Sequence, residues 1–125
     1  MNYRIVWLAL AGTCGTLARY WMSGAVYDLL GRNFPWGTAA VNILGCLLFG
    51  AVWVLAEERF ILSSETRVVV LIGFMGAFTT FSSLIFESNQ LMRDSQWLYA
   101  MLNMVGESIL GFAGLWLGMA LGRLI

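Results

Sequence analysis

The stretch Val68–Met92, VVVLIGFMGAFTTFSSLIFESNQLM, decides how this chain folds. It is apolar from its start and carries no charge before Glu87. A helix needs about 20 residues to cross a hydrocarbon core of roughly 30 Å, so this segment can span a bilayer on its own. Three further segments of the same kind lie around it: Ile5–Tyr27 and Gly37–Ala56 before it, and Trp97–Gly122 after it. The connections are short, Asp28–Trp36, Glu57–Arg67 and Arg93–Gln96, and none has room for an extramembrane domain. Every backbone polar group in lipid needs an internal partner, and at this hydrophobicity helices are the spanning element that provides one. The expectation is an all-α membrane protein with about four spans, residues 5–27, 37–56, 68–92 and 97–122, forming one domain over residues 1–125.

Composition agrees. Of 125 residues 60% are hydrophobic and only 11% charged, and the mean hydropathy is +0.79. A soluble domain of this length needs far more polar surface to cover its core. Seven acids balance seven bases, so no excess charge points to nucleic acid. All the bases are arginines, and the absence of Lys and His excludes a histidine relay and a Schiff-base lysine. Cys14 and Cys46 lie inside apolar segments and read as small packing residues rather than a disulfide or metal site. The amino-terminal apolar run is longer than a signal-peptide core, holds Arg19 and has no small-residue cleavage site, so it reads as a retained helix.

Arginines fall almost evenly on the two sides of such a topology. Arg4, Arg59, Arg67 and Arg123 lie on one side, and Arg32 and Arg93 on the other, with Arg19 toward the second end. Orientation follows differences in that count, so a near tie predicts weak preference and permits insertion both ways. In the fourth span Gly114, Gly118 and Gly122 share one helix face. Small residues so spaced let helices approach closely in lipid, either within one chain or between chains.

The polar residues concentrate in a few places. In GFMGAFTTFSSLIFE, Gly73–Glu87, the hydroxyls of Thr79, Thr80, Ser82 and Ser83 surround Phe81, with two glycines before them. That density predicts a helix break, whose freed carbonyls can hold a hard cation while the hydroxyls donate to an anion. The competing reading is that they bond back to the i−4 carbonyls and only bend the helix. Thr38 and Asn42 share a face of the second span, and the Asn amide can serve an anion or clamp two helices. Arg19, Glu87 and Glu107 are charges within predicted spans, where ionisable groups are rare and usually functional. Arg19 can attract anions from a vestibule or pair with a glutamate. No Gly-rich phosphate loop, metal-ligand spacing or Ser-His-Asp set is present, so the chain does not read as an enzyme.

Three motifs, GTLARY (Gly15–Tyr20), PWGTAAVNILG (Pro35–Gly45) and GFMGAFTTFSS (Gly73–Ser83), resemble the Fluc (CrcB) fluoride channels, over essentially the whole chain in length, helix count and motif order. The resemblance implies a multi-pass protein of the cell (inner or plasma) membrane that forms an antiparallel, dual-topology homodimer. It implies passive export of fluoride through two pores, and a structural sodium ion at the dimer axis. The sodium would be held by the backbone carbonyls of Gly76 and Thr79 at a third helix broken in mid-membrane. Asn42 and Phe81 match pore positions, Ser82, Ser83 and Thr38 match hydroxyl positions of a polar track, Arg19 matches a vestibule arginine, and Glu87 matches the glutamate that ends the motif. Two places depart from the family pattern. Leu84 stands where a second pore phenylalanine is expected. Asn103, Glu107 and Gly111 stand where small or hydroxyl residues are usual. Two other readings remain at this level: a subunit that conducts only with a complementary homologue, and a small multidrug-type exporter. The latter resembles chains with an acid in the first span, where this one has Arg19.

Overall fold

Gly31 and Pro35 set the first corner. Gly31 takes φ of +83°, a left-handed conformation that glycine adopts without steric cost, and its N–H donates to the Tyr27 carbonyl as the first helix ends. Pro35 then caps the second helix, where the missing N–H leaves nothing unsatisfied. The computed structural model describes residues 3–125, and these form four long helices with no strand among them: α1 (Tyr3–Leu30), α2 (Trp36–Glu57), α3 (Ser64–Arg93) and α4 (Trp97–Leu124). Ser63 opens α3, its hydroxyl accepting from the Thr66 N–H at 3.2 Å.

Three of the four helices, α2, α3 and α4, are long and apolar enough to cross a membrane. The exception is α1, which has the length at 28 residues but is diluted by Thr13, Thr16, Arg19 and its glycines. The expectation of about four spans therefore stands in a coarser form: four helices, three of them apolar enough to cross a bilayer.

Packing centres on α2. Val41 and Val54 are fully buried, and the helix that α2 packs on most extensively is α4. The glycine face of α4 makes that approach possible. A Cβ added at Gly114 would sit 3.1 Å from the Ile43 carbonyl oxygen, one at Gly118 would strike the Leu47 carbonyl, and one at Gly122 would sit 3.0 Å from the Ala51 carbonyl. Gly50 of α2 returns the contact, facing the Leu115 carbonyl. Of the two readings left open for this face, the structure selects packing within the chain. On the other flank Gly15 of α1 lies against the Phe74 carbonyl of α3. At one end of the bundle Arg123 bonds Glu58 through two contacts of 2.8 Å and Arg67 pairs with Glu57. The hydrogen bond from Arg123 holds the Glu58 carboxyl below its ordinary range. Both partners are exposed, so the pair fixes geometry more than it adds stability. Cys14 and Cys46 are both free.

Gly118→Val is expected to force α2 and α4 apart and to lower stability by about 3 kcal/mol, the upper part of the overpacking range. Gly24→Ala, at a site with no heavy atom within 4 Å of the added carbon, is expected to change little. Thermal unfolding of the purified variants in detergent checks both.

Candidate functional site

The third helix loses its regular geometry twice. Val69–Met75 forms wide π-helical turns. Thr79 (φ −87°, ψ 159°) and Thr80 (φ −150°, ψ 111°) are then extended before helix resumes over Phe81–Arg93. Thr79 behaves as the bending reading expects, its hydroxyl donating to the Met75 carbonyl four residues back at 3.0 Å. Thr80 does something different. Its hydroxyl accepts from the Ser83 N–H at 3.3 Å and lies 3.1 Å from Ser83 Oγ, so it caps the helix that begins at Phe81.

What holds Thr80 extended is Asn42. The Thr80 N–H donates to Asn42 Oδ1 at 2.8 Å, and Asn42 Nδ2 donates to the Thr80 carbonyl at 3.1 Å. The side-chain amide thus takes the N–H that Thr80 withdraws from the helical ladder and adds a donor to its carbonyl. The remaining N–H of the Asn42 amide donates to Glu107 Oε2 of α4 at 2.8 Å. Both donors of the amide are therefore engaged, which realises the clamp among the two roles open to this residue; an anion reaching Asn42 has to displace one of these contacts. Gly45, one turn further along α2, lets Thr79 approach, since a Cβ there would overlap the Thr79 methyl.

The same face of α2 carries Thr38, whose hydroxyl donates to Glu87 Oε1 at 2.6 Å. Thr38 and Asn42 are one turn apart, about 5–6 Å between their Cβ atoms, and each holds a carboxylate from another helix. Glu87 Oε2 and Glu107 Oε1 are buried and have no partner. Deeper in, Asn103 donates to Ser88 Oγ at 3.0 Å with both residues fully buried, and Asn103 Oδ1 is likewise unpartnered. Asn103 lies in a second π-helical stretch, Leu102–Gly106, which ends at Glu107. Wide helical turns of this kind often mark functional positions.

Two cavities meet these residues. One, of about 380 Å³, is lined by Asn42, Thr79, Thr80, Phe81, Leu84, Glu107 and Ser108 among others. The other, of about 540 Å³, lies toward Asn33, Trp36 and Tyr99. Phe81 is 75% exposed and Ser82 is exposed beside it, while Leu84 is buried. Ser83 is half-buried beneath the Thr80 cap. Arg19 is half-buried on α1, and it forms no ion pair with a glutamate among the described residues. The structure thus brings together Thr38, Asn42, Glu87 and Glu107, sets Phe81, Ser82 and Ser83 beside them, and leaves Arg19 apart.

One residue central to the site carries no sequence signal of its own, and another is marked in the sequence only by its hydroxyl. Thr80 supplies the peptide that Asn42 clamps, and its place immediately before Phe-Ser-Ser is a helix-start signal. Ser88 partners Asn103, and only the packing of α3 on α4 reveals it. No cluster of three or more His, Cys, Asp or Glu side chains suited to a metal occurs among the described residues.

Comparison with known proteins yields one family. The family described as CrcB-like protein, Camphor Resistance (CrcB), matches residues 6–119. Proteins named fluoride-specific ion channel FluC are similar over all of both chains: 61% identical in Solidesulfovibrio magneticus, 52% in Nitrosococcus oceani and 48% in Desulforapulum autotrophicum.

Asn42→Ala is expected to leave the Thr80 peptide and Glu107 without these partners. Each orphaned buried polar group costs about 1–3 kcal/mol, so the break should loosen. Hydrogen–deuterium exchange read at the Thr80 amide is expected to accelerate strongly, while the middle of α2 remains protected; an unchanged Thr80 amide contradicts the clamp.

Proposed function

The chain belongs to the CrcB-like family, and from that membership we propose that it is a multi-pass fluoride-specific ion channel that lets fluoride leave the cell passively. The observation that carries the reading is the break in α3. There Asn42, Thr79, Thr80 and the Phe81 ring gather at a cavity of about 380 Å³. Fluoride is small and holds its water tightly, so a pathway has to offer close donors in exchange. Amides and hydroxyls are such donors, and the edge of a phenyl ring carries the positive part of its quadrupole. Phe81 projects its ring from the break rather than into the core, which leaves an edge available to an anion. Thr38, Thr80, Ser82 and Ser83 supply hydroxyls along the same route. Buried Leu84 contributes packing and no quadrupole. Arg19 sits outside this group and would act by drawing anions toward it.

The working unit in this reading is an antiparallel, dual-topology homodimer with two pores, in which α3 is a helix broken in mid-membrane. The near-even arginine count supports insertion in both directions. A sodium ion at the dimer axis would be held by the carbonyls of Gly76 and Thr79, and the residues fit that role. In a continuous helix these carbonyls would accept from the N–H groups four residues on, Thr80 and Ser83. Here the Thr80 N–H goes to Asn42 Oδ1 and the Ser83 N–H to Thr80 Oγ1. Both carbonyls are left with acceptor capacity that suits a hard cation. The ion would supply a fixed positive charge and tie the two breaks together.

Glu107 favours one second reading. A carboxylate facing the cavity repels an anion, so the chain would conduct only beside a complementary homologue. Reconstitution of the purified chain alone in liposomes separates these readings. Rapid fluoride efflux is the expected result; silence relieved by a homologous partner supports the second reading, and drug–proton exchange would replace both. Asn42→Ala is expected to reduce efflux at least about tenfold, the effect of losing roughly 1.4 kcal/mol of barrier stabilisation. Unchanged flux in that variant contradicts the pathway.

A further inference from the structure

Glu107 is the one residue that lines both cavities, about 380 Å³ on the Phe81 side and about 540 Å³ on the Tyr99 side. It is 6% exposed. One of its oxygens receives the Asn42 amide at 2.8 Å, and the other, Oε1, is buried without a partner. No arginine lines either cavity. The titratable groups around Glu107 are Cys46 of α2 in the first cavity, Tyr99 of α4 in the second, and Glu87 of α3 one turn away along the α2 face. From α1 only Val26 and Leu30 reach the second cavity. A buried carboxylate with no cation beside it and an oxygen left over has a place for a proton. It also faces both cavities at once.

We propose that Glu107 is a proton-operated gate on the anion route. Ionised, it repels fluoride and holds the Asn42 amide, so that neither donor of that amide is available. Protonated, it loses its charge, loosens its hold on Asn42 and presents an O–H of its own at Oε1 or Oε2. The proton arrives from water entering either cavity and leaves the same way; no covalent bond is made or broken. The gate rests on the fluoride-channel reading and adds to it a dependence on pH that lies in this chain's own fourth helix.

The test is electrogenic fluoride efflux from liposomes holding the full chain, with the pH inside and outside varied together. Protein-free vesicles correct for hydrogen fluoride crossing the lipid. Wild-type flux is expected to rise as the pH falls, changing about tenfold per pH unit where the carboxyl is mostly ionised. Glu107→Gln keeps the shape and a donor but cannot ionise, so its flux is expected to be fast and independent of pH. Should that variant not purify as the same species as wild type, Glu107→Ser, small and neutral, carries the same expectation. A wild-type flux that is fast but insensitive to pH overturns the gate and leaves the channel standing. So does a neutral variant that keeps the wild-type slope. A wild-type chain that moves no fluoride at any pH overturns the channel and the gate together.

Discussion

A peptide group inside a bilayer has no water to fall back on, and everything distinctive in this molecule follows from how one such group, that of Thr80, is satisfied. Two consecutive extended residues in the middle of a membrane helix would expose donors and acceptors at a cost of several kcal/mol. Asn42 removes that cost by accepting from the N–H and donating to the carbonyl of the same residue. The neighbouring features serve this contact. Gly45 clears room for Thr79, and the Thr80 hydroxyl starts the next helix. The Gly50 and Gly118 approaches hold α2 and α4 close enough for Asn42 to reach Glu107 as well.

The same arrangement creates the chemistry. Diverting the Thr80 and Ser83 N–H groups to side chains leaves the carbonyls of Gly76 and Thr79 without their helical donors. It also turns hydroxyls and an aromatic ring toward a cavity. The carboxylates of half-buried Glu87 and buried Glu107 are the counterweight. Each has one oxygen bound by a side chain of α2 and one oxygen free. Charges so placed are costly, and they persist in membrane helices mainly where they act on something that passes.

Much of this was legible in the residues, because lipid imposes a simple grammar. Long apolar blocks with short charged connections predict helices, and four helices are found. The clustering of Thr79, Thr80, Ser82 and Ser83 drew attention to the right part of α3, and the i, i+4 spacing put Thr38 and Asn42 on one face. The lower hydropathy of α1 also lies in the sequence, as a matter of degree that no motif marks. Two things were not legible. The target of the Asn42 amide depended on a partner 38 residues away in the chain, which only the packing of α2 on α3 determines. The purpose of the Gly114–Gly118–Gly122 face was equally open, because close approach within a chain and between chains leaves the same pattern in sequence.

In the proposed channel the break in α3 forms a route fitted to a small, strongly hydrated anion. Liposomes loaded with both fluoride and chloride, followed by two ion-selective electrodes after a potassium ionophore is added, test it most directly. The chain is expected to release fluoride rapidly while chloride stays inside. Release of both at comparable rates, or of neither, would contradict it.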